Sequence, residues 1–136
     1  MSSIIREFNS LTEFMKYLDD EISEHRRRLG ELLKRLEELR VRAEQEKKLK
    51  NILTKLGVPE SSTSNEVALR NLRIIINPAA SQELTAMESA IEALNNRIAQ
   101  LSAIRKEVEV LGGLDVEVRL AVIYVDGLPR VLLLRM

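Results

Sequence analysis

The sequence predicts a mainly α-helical fold: a long antiparallel helical hairpin of coiled-coil type, a short connecting helix, and a C-terminal two-stranded β-hairpin. Three observations predict it. Apolar residues recur at four-three spacing through Ile4, Phe8, Leu11, Met15, Leu18, Ile22, Leu29, Leu32, Leu36, Leu39 and Ala43, broken only by His25. A repeat of this kind makes a narrow seam that must face another helix. A second run holds the same spacing through Leu84, Met87, Ile91, Leu94, Ile98, Leu101 and Val108. Near the C-terminus the period shortens to two on either side of Asp126-Gly127.

The first helix is predicted over about residues 11–57. Ser10-Leu11-Thr12-Glu13 has the spacing of a capping box, in which hydroxyl and carboxylate satisfy the first free amides of a helix. Because Ile4 and Phe8 already fit the heptad, residues 3–9 read slightly better as further helix than as a strand. Gly30 reads as a tolerated interior glycine, at about 1 kcal/mol relative to Ala. Val58-Pro59 ends the helix, and Thr63-Ser64-Asn65-Glu66 offers a second capping box, so residues 64–76 are expected to form the short helix. The β-branched Ile74 to Ile76 keep a strand reading open there. Asn77-Pro78, an N-cap residue before a first-turn proline, opens a second long helix over 78–111, closed by Gly112-Gly113.

Residues 112–136 follow as a separate element. Asp126-Gly127 suits a two-residue hairpin turn, since both positions accept positive φ. Pairing Val125 with Leu128 places Val118, Leu120, Val122, Val131 and Leu133 on one face. Ala121, Ile123, Val125, Leu128, Leu132, Leu134 and Met136 fall on the other. Both faces are apolar, and a lone hairpin with two such faces needs covering. The expected organisation is therefore a helical hairpin over 1–111 and an oligomerisation hairpin over 112–136.

Charge chooses among the ways the seams could pair. The chain is neutral overall, but residues 1–24 carry two bases and six acids, and residues 25–55 carry eleven bases and five acids. In a parallel homodimer Arg35 would face Arg40 and Arg42 would face Lys47, which selects against that pairing. The second helix carries Glu83, Glu88 and Glu109 beside its seam, so an antiparallel fold-back onto the basic stretch of the first helix is expected. The longer first helix then leaves residues 1–20 as an overhang, with Phe8, Phe14 and Tyr17, three of four aromatic residues, next to the terminal hairpin. A homo-oligomer, dimer or tetramer, is expected to bury Phe8, Leu11, Met15, Leu18, Ile22, Val118, Leu120, Val122, Ile123, Val131, Leu132, Leu133 and Leu134.

His25 at a seam position reads as a register-setting residue, since a polar group there costs stability but fixes alignment. Arg26, Arg27, Arg28, Lys34, Arg35, Arg40, Arg42, Lys47 and Lys48 form the alternative contact surface, for nucleic acid or an acidic partner. A solvated face interleaved with glutamates is the favoured reading, since no aromatic residue is present there for base stacking.

Composition excludes several classes of chemistry. There is no cysteine and a single histidine, hence no disulfide framework, thiolate metal site or cysteine nucleophile. No phosphate-binding loop, dinucleotide fingerprint, zinc-protease helix or Ser-His-Asp set occurs. No catalysis, cofactor or metal is expected. The first twenty residues lack a signal-peptide core, and no apolar run reaches the roughly 18 residues of a span. A cytoplasmic protein without a membrane partner is expected, and its charge-rich, cysteine-free composition is one common in heat-adapted proteins. The parts are loosely similar to those of prefoldin subunits, in which helical hairpins project from an oligomeric β core. There the strands lie between two helices of similar length, whereas here they follow both, and no motif carries a family assignment. The predicted function is a non-catalytic coiled-coil scaffold that self-associates and holds or spaces partner proteins, with a nucleic-acid-associated protein or a subunit of a hetero-complex as alternatives.

Overall fold

A computed structural model describes residues 4–57, 65–112 and 118–135. The chain is mainly helical, with two long helices and a C-terminal antiparallel strand pair. Its elements run β1 (Ile5–Phe8), α1 (Leu11–Lys55), β2 (Glu66–Ala68), β3 (Arg73–Ile75), α2 (Ala80–Leu111), β4 (Arg119–Val125) and β5 (Leu128–Arg135). Two compact units emerge. One comprises Met1–Leu29 with Ala93–Met136, the other Gly30–Glu92. The expected boundary at residues 111/112 is thus not the structural one: the terminal strands share a unit with the start of α1 and the end of α2.

In the first unit, residues 5–8 are a strand and not the helical turn that the heptad favoured. β1 pairs antiparallel with β4, Ile5 opposite Ile123 and Phe8 opposite Leu120, giving a sheet in the order β1-β4-β5. Ile4, Arg6 and Phe8 also satisfy a period of two, and the free edge of β4 decides between the periods. Ser10 then caps α1, its Oγ accepting the Glu13 amide at 3.1 Å. The Glu13 carboxylate reaches back to the amide of Asn9, one residue earlier than a standard box would place it.

The terminal hairpin turns at Asp126 (φ 53°) and Gly127 (φ 76°), both left-handed as a type I′ turn requires. Val125 pairs with Leu128 as expected, but the register then slips between Ile123 and Tyr124: Tyr124 faces Pro129, while Ile123 faces Val131. Arg130 is the extra residue of a β-bulge beside a proline that cannot donate to the ladder. Beyond it every partner moves by one, so Leu120 faces Leu134 and Val122 faces Leu132. The expected faces are corrected accordingly. Leu132 and Leu134 join Leu120 and Val122 on one side, and Val131 and Leu133 join Ala121 and Ile123 on the other.

The inner face of the sheet packs on both helices. Phe8, Phe14, Leu18, Ile22, Leu101, Val108, Leu120, Val122, Tyr124 and Leu128 form one buried cluster, flanked by Leu11, Met15, Tyr17, Ile98, Ile104, Val118 and Leu132. Phe8 packs against Phe14 and Tyr17 with ring centroids 5.1 and 5.4 Å apart. Arg105 of α2 forks onto Asp19 of α1, Nε to Oδ1 at 2.7 Å and Nη2 to Oδ2 at 3.4 Å. The start of α1 is therefore covered by the end of α2, and among the described residues the overhang expected at residues 1–20 is not found. The charge pattern is also inverted there, with a basic residue of α2 on an acid of α1. Glu109 pairs with Arg105 of its own helix instead of the basic stretch.

In the second unit, the helix expected over 64–76 is replaced by the β2–β3 hairpin, Val67 opposite Ile74 and Ala68 opposite Arg73. Thr63 and Ser64 of the proposed second capping box lie outside the described residues. α1 stops where Gly57 adopts φ 77°, donating its amide to the Thr54 carbonyl at 3.1 Å. α2 begins at Ala80, two residues later than Asn77-Pro78 implied, because Asn77 takes a positive φ of 49° and directs the chain away before the first turn. Two side chains meet the free amides of this end. Gln82 Oε1 accepts the Ala79 amide at 2.9 Å, and Glu46 of α1 accepts the Ala80 amide at 3.0 Å. Leu36, Leu39, Ala80 and Ile91 are buried in this unit. At the other end of α2, Gly112 has ordinary negative φ, and Gly113 lies outside the described residues.

Candidate functional site

The fold sorts the apolar residues expected at an oligomer interface into two groups. Phe8, Leu18, Ile22, Leu120 and Val122 are buried in the chain's own core, and Leu11, Met15, Val118 and Leu132 pack against it. The correction has a simple cause: β1, α1, α2 and the hairpin together supply the cover that a second subunit was expected to give. Ile123 is half-buried, while Val131, Leu133 and Leu134 are exposed.

What remains is the outer face of the three-stranded sheet. Alternation along the strands and the observed register put Ile5, Ile123 and Val131 in one row, and Glu7, Ala121 and Leu133 in the next. Arg119 and Arg135 face each other at the border of this face. Ile5, Val125, Val131 and Leu133 are all exposed large apolar residues. The face thus has an apolar middle and charges of both signs on its margin. The edge strand β5 is blunted at its start by Pro129 and the Arg130 bulge, the means by which natural sheets discourage edge pairing. Beside that edge a groove of about 340 Å³ runs between Ile104, Val108 and Leu111 of α2 and Pro129 to Leu132 of β5, with Glu107 and Arg130 as its charged lining.

The second apolar surface was missed by sequence reasoning. In the β2–β3 hairpin the amide of Leu69 donates to the Leu72 carbonyl and that of Ile76 to the Asn65 carbonyl, extending the ladder at both ends. Val67, Leu69, Leu72, Ile74 and Ile76 therefore share one face, and all are exposed. The opposite face holds Glu66 and Arg73, paired at 2.9 Å. Asn65 anchors the hairpin base through a reciprocal amide pair with Gln82, both bonds at 2.8 Å. At the end of α1, Leu49, Ile52, Leu53 and Leu56 are also exposed. The period-two pattern of Val67, Leu69, Leu72, Ile74 and Ile76 was the signal, masked by the equally good helical reading.

The basic stretch stays on the surface, with Arg26, Arg27, Arg28, Lys34, Arg35, Arg40, Arg42, Lys47 and Lys48 all exposed. Glu24 serves both Arg27 and Arg28, and Glu37 bonds Arg40 at 2.9 Å. The hydrogen bond from Arg27 and the two positive charges hold the Glu24 carboxyl below its ordinary range. These pairs are features of a solvated helix face.

One polar constellation lies against the core of the first unit. Arg6 sits over the Tyr17 ring, 4.5 Å from its centroid. Burial, followed by a hydrogen bond with Glu21, raises the Tyr17 phenol above its ordinary value. Burial, followed by the charge of Glu21, pushes Tyr124 higher still. The Tyr124 hydroxyl and His25 Nδ1 are buried without a hydrogen-bond partner among the described residues. Phenols held neutral beside a carboxylate supply neither a nucleophile nor a base near neutral pH. No group of three acidic or histidine side chains that could hold a metal occurs among the described residues, and no helix there is long and apolar enough to cross a membrane. The chain matches no protein-family model, no curated protein and no solved structure.

Proposed function

We propose that the protein is a non-catalytic assembly protein that self-associates through the outer face of its three-stranded sheet and holds or spaces partner proteins. The observation that carries this reading is the apolar row of Ile5, Ile123 and Val131 with Leu133 beside it, set on a sheet whose other face is already filled. A second copy suits this face for two reasons. Its margin carries Glu7 against Arg119 and Arg135, so a two-fold contact does not oppose charges of a single sign. The blunted start of β5 also favours face-to-face packing over edge pairing. Sedimentation velocity over a concentration series tests the reading. A mass that rises to a multiple of 15.5 kDa supports it, and a monomer at every concentration overturns it. Cutting the chain at Gly112 is not a usable test, because Leu120, Val122, Tyr124 and Leu128 belong to the core that would be opened.

A further inference from the structure

The second unit carries exposed apolar residues bordered by charges of one sign, unlike the mixed margin of the sheet. Glu46 meets the first amide of α2, so Lys47 to Lys55 continue past that contact for roughly 13 Å at 1.5 Å per residue. Over residues 47–57 the sequence has four lysines and no acid, and residues 65–76 have two arginines and one glutamate. Glu66 is already engaged by Arg73. On the helix, Leu49, Ile52, Leu53 and Leu56 fall within an arc of about 100°, with Lys48 and Lys55 along one border and Lys50 along the other. On the hairpin, Leu69 and Leu72, which flank the Arg70–Asn71 turn, are 54% and 62% exposed.

We propose that this part of the chain, residues 47–57 with the β2–β3 hairpin, docks on the surface of an anionic lipid bilayer. Its leucines and isoleucines enter the headgroup boundary, and Lys48, Lys55 and Arg70 meet the headgroup phosphates. Three features select this occupant. A second copy on either element would set positive charges against positive charges beside the apolar residues, a like-charge arrangement that interfaces avoid. Lysines bordering an apolar helical stripe are the pattern of an interfacial helix, which lies on a membrane and needs no spanning segment. Exposed leucines at a hairpin turn fit a deformable phase, whereas a protein partner would need a preformed groove to receive them.

Flotation of the full-length chain with vesicles tests this. Vesicles of equal parts phosphatidylglycerol and phosphatidylcholine should carry the protein upward, pure phosphatidylcholine vesicles should not, and added salt should release it. The double variant Lys48→Ser/Lys55→Ser should lower partitioning by about thirtyfold, at about fivefold per cation removed. Leu69→Ser/Leu72→Ser should lower it at least about tenfold, while Val110→Ser, at an exposed apolar position of α2 in the other unit, should leave it unchanged. Circular dichroism of each variant checks that the helices are intact. No flotation with the anionic vesicles overturns the proposal and leaves an acidic protein as the partner of this surface. Equal flotation with neutral vesicles, or no effect of the Leu69/Leu72 pair, overturns it as well. The sedimentation mass is read separately, so either reading can fail without the other.

Discussion

Under the proposed self-association, replacing Val131 and Leu133 together by lysine should abolish assembly without unfolding the chain. The two side chains are 46% and 41% exposed, so each has close to half of its surface left to bury. Complete burial of such a side chain contributes about 1.5–3 kcal/mol, so the remaining half contributes about 1 kcal/mol. A two-fold interface uses each side chain twice, giving about 4 kcal/mol for the pair of substitutions. At 1.4 kcal/mol per tenfold, the dissociation constant should rise by about a thousandfold. Desolvating the new ammonium groups adds to this, so the figure is a lower bound. Sedimentation velocity gives the dissociation constant, and a thermal melt reports the fold, whose midpoint should shift by only a few degrees. A dissociation constant within tenfold of the parent would refute the reasoning, because two exposed apolar residues of the outer sheet face would then contribute little to association.

The other predictions concern the architecture that holds that face in place. Phe14→Ala, at a site with no exposure, should cost about 3–5 kcal/mol in urea unfolding, and a loss below 1 kcal/mol would mean that the cluster is not the core. Tyr124→Phe removes a buried hydroxyl that has no partner among the described residues and should leave stability equal or raise it by about 1 kcal/mol. Because Tyr17 and Tyr124 have folded values above the unfolded value of 10.0, their contribution is intact below pH 10 and is lost as pH rises through the folded values. Tyrosinate absorbance should therefore appear together with alkaline unfolding and not at pH 10, and Tyr124→Phe should flatten the loss of stability above that pH. Gly127→Ala should cost at least about 1 kcal/mol, since φ 76° disfavours an L side chain and the Arg97 guanidinium occupies the space of a Cβ. A neutral effect in chemical denaturation would contradict that turn geometry.

Signals that act within a few residues were legible. The Ser10–Glu13 cap, the extent of α1 and the Asp126-Gly127 turn each follow from local hydrogen bonding or a backbone preference, and each appears where the sequence placed it. Residues 4–8 and 65–76 carry patterns that satisfy both helical and strand periods, and pairing decided them. β1 is a strand because the edge of β4, more than a hundred residues away in sequence, is free to pair with it. The bulge at Arg130 was signalled only by the neighbouring Pro129, and its one-residue slip exchanged the faces of β5. The same limit affected the candidate site. Apolar composition identified the C-terminal hairpin as a surface needing cover, but not which of its faces the chain covers itself. The place where α1 exceeds its cover was assigned to the wrong end, because charge matching between helices is weak beside the burial of Phe14, Leu18, Leu101 and Val108.

Because the chain contains no cysteine, a single one can be introduced at a chosen position without a competing thiol. Single cysteines at Ile5, Val125, Val131 and Leu133, treated in turn with a short bismaleimide at micromolar protein, test most directly whether the outer sheet face is the self-association surface. A covalent dimer should form rapidly at one or more of these positions and slowly at Arg26→Cys on the helix surface. Cross-linking at Arg26→Cys that matches or exceeds the sheet positions would contradict the assignment.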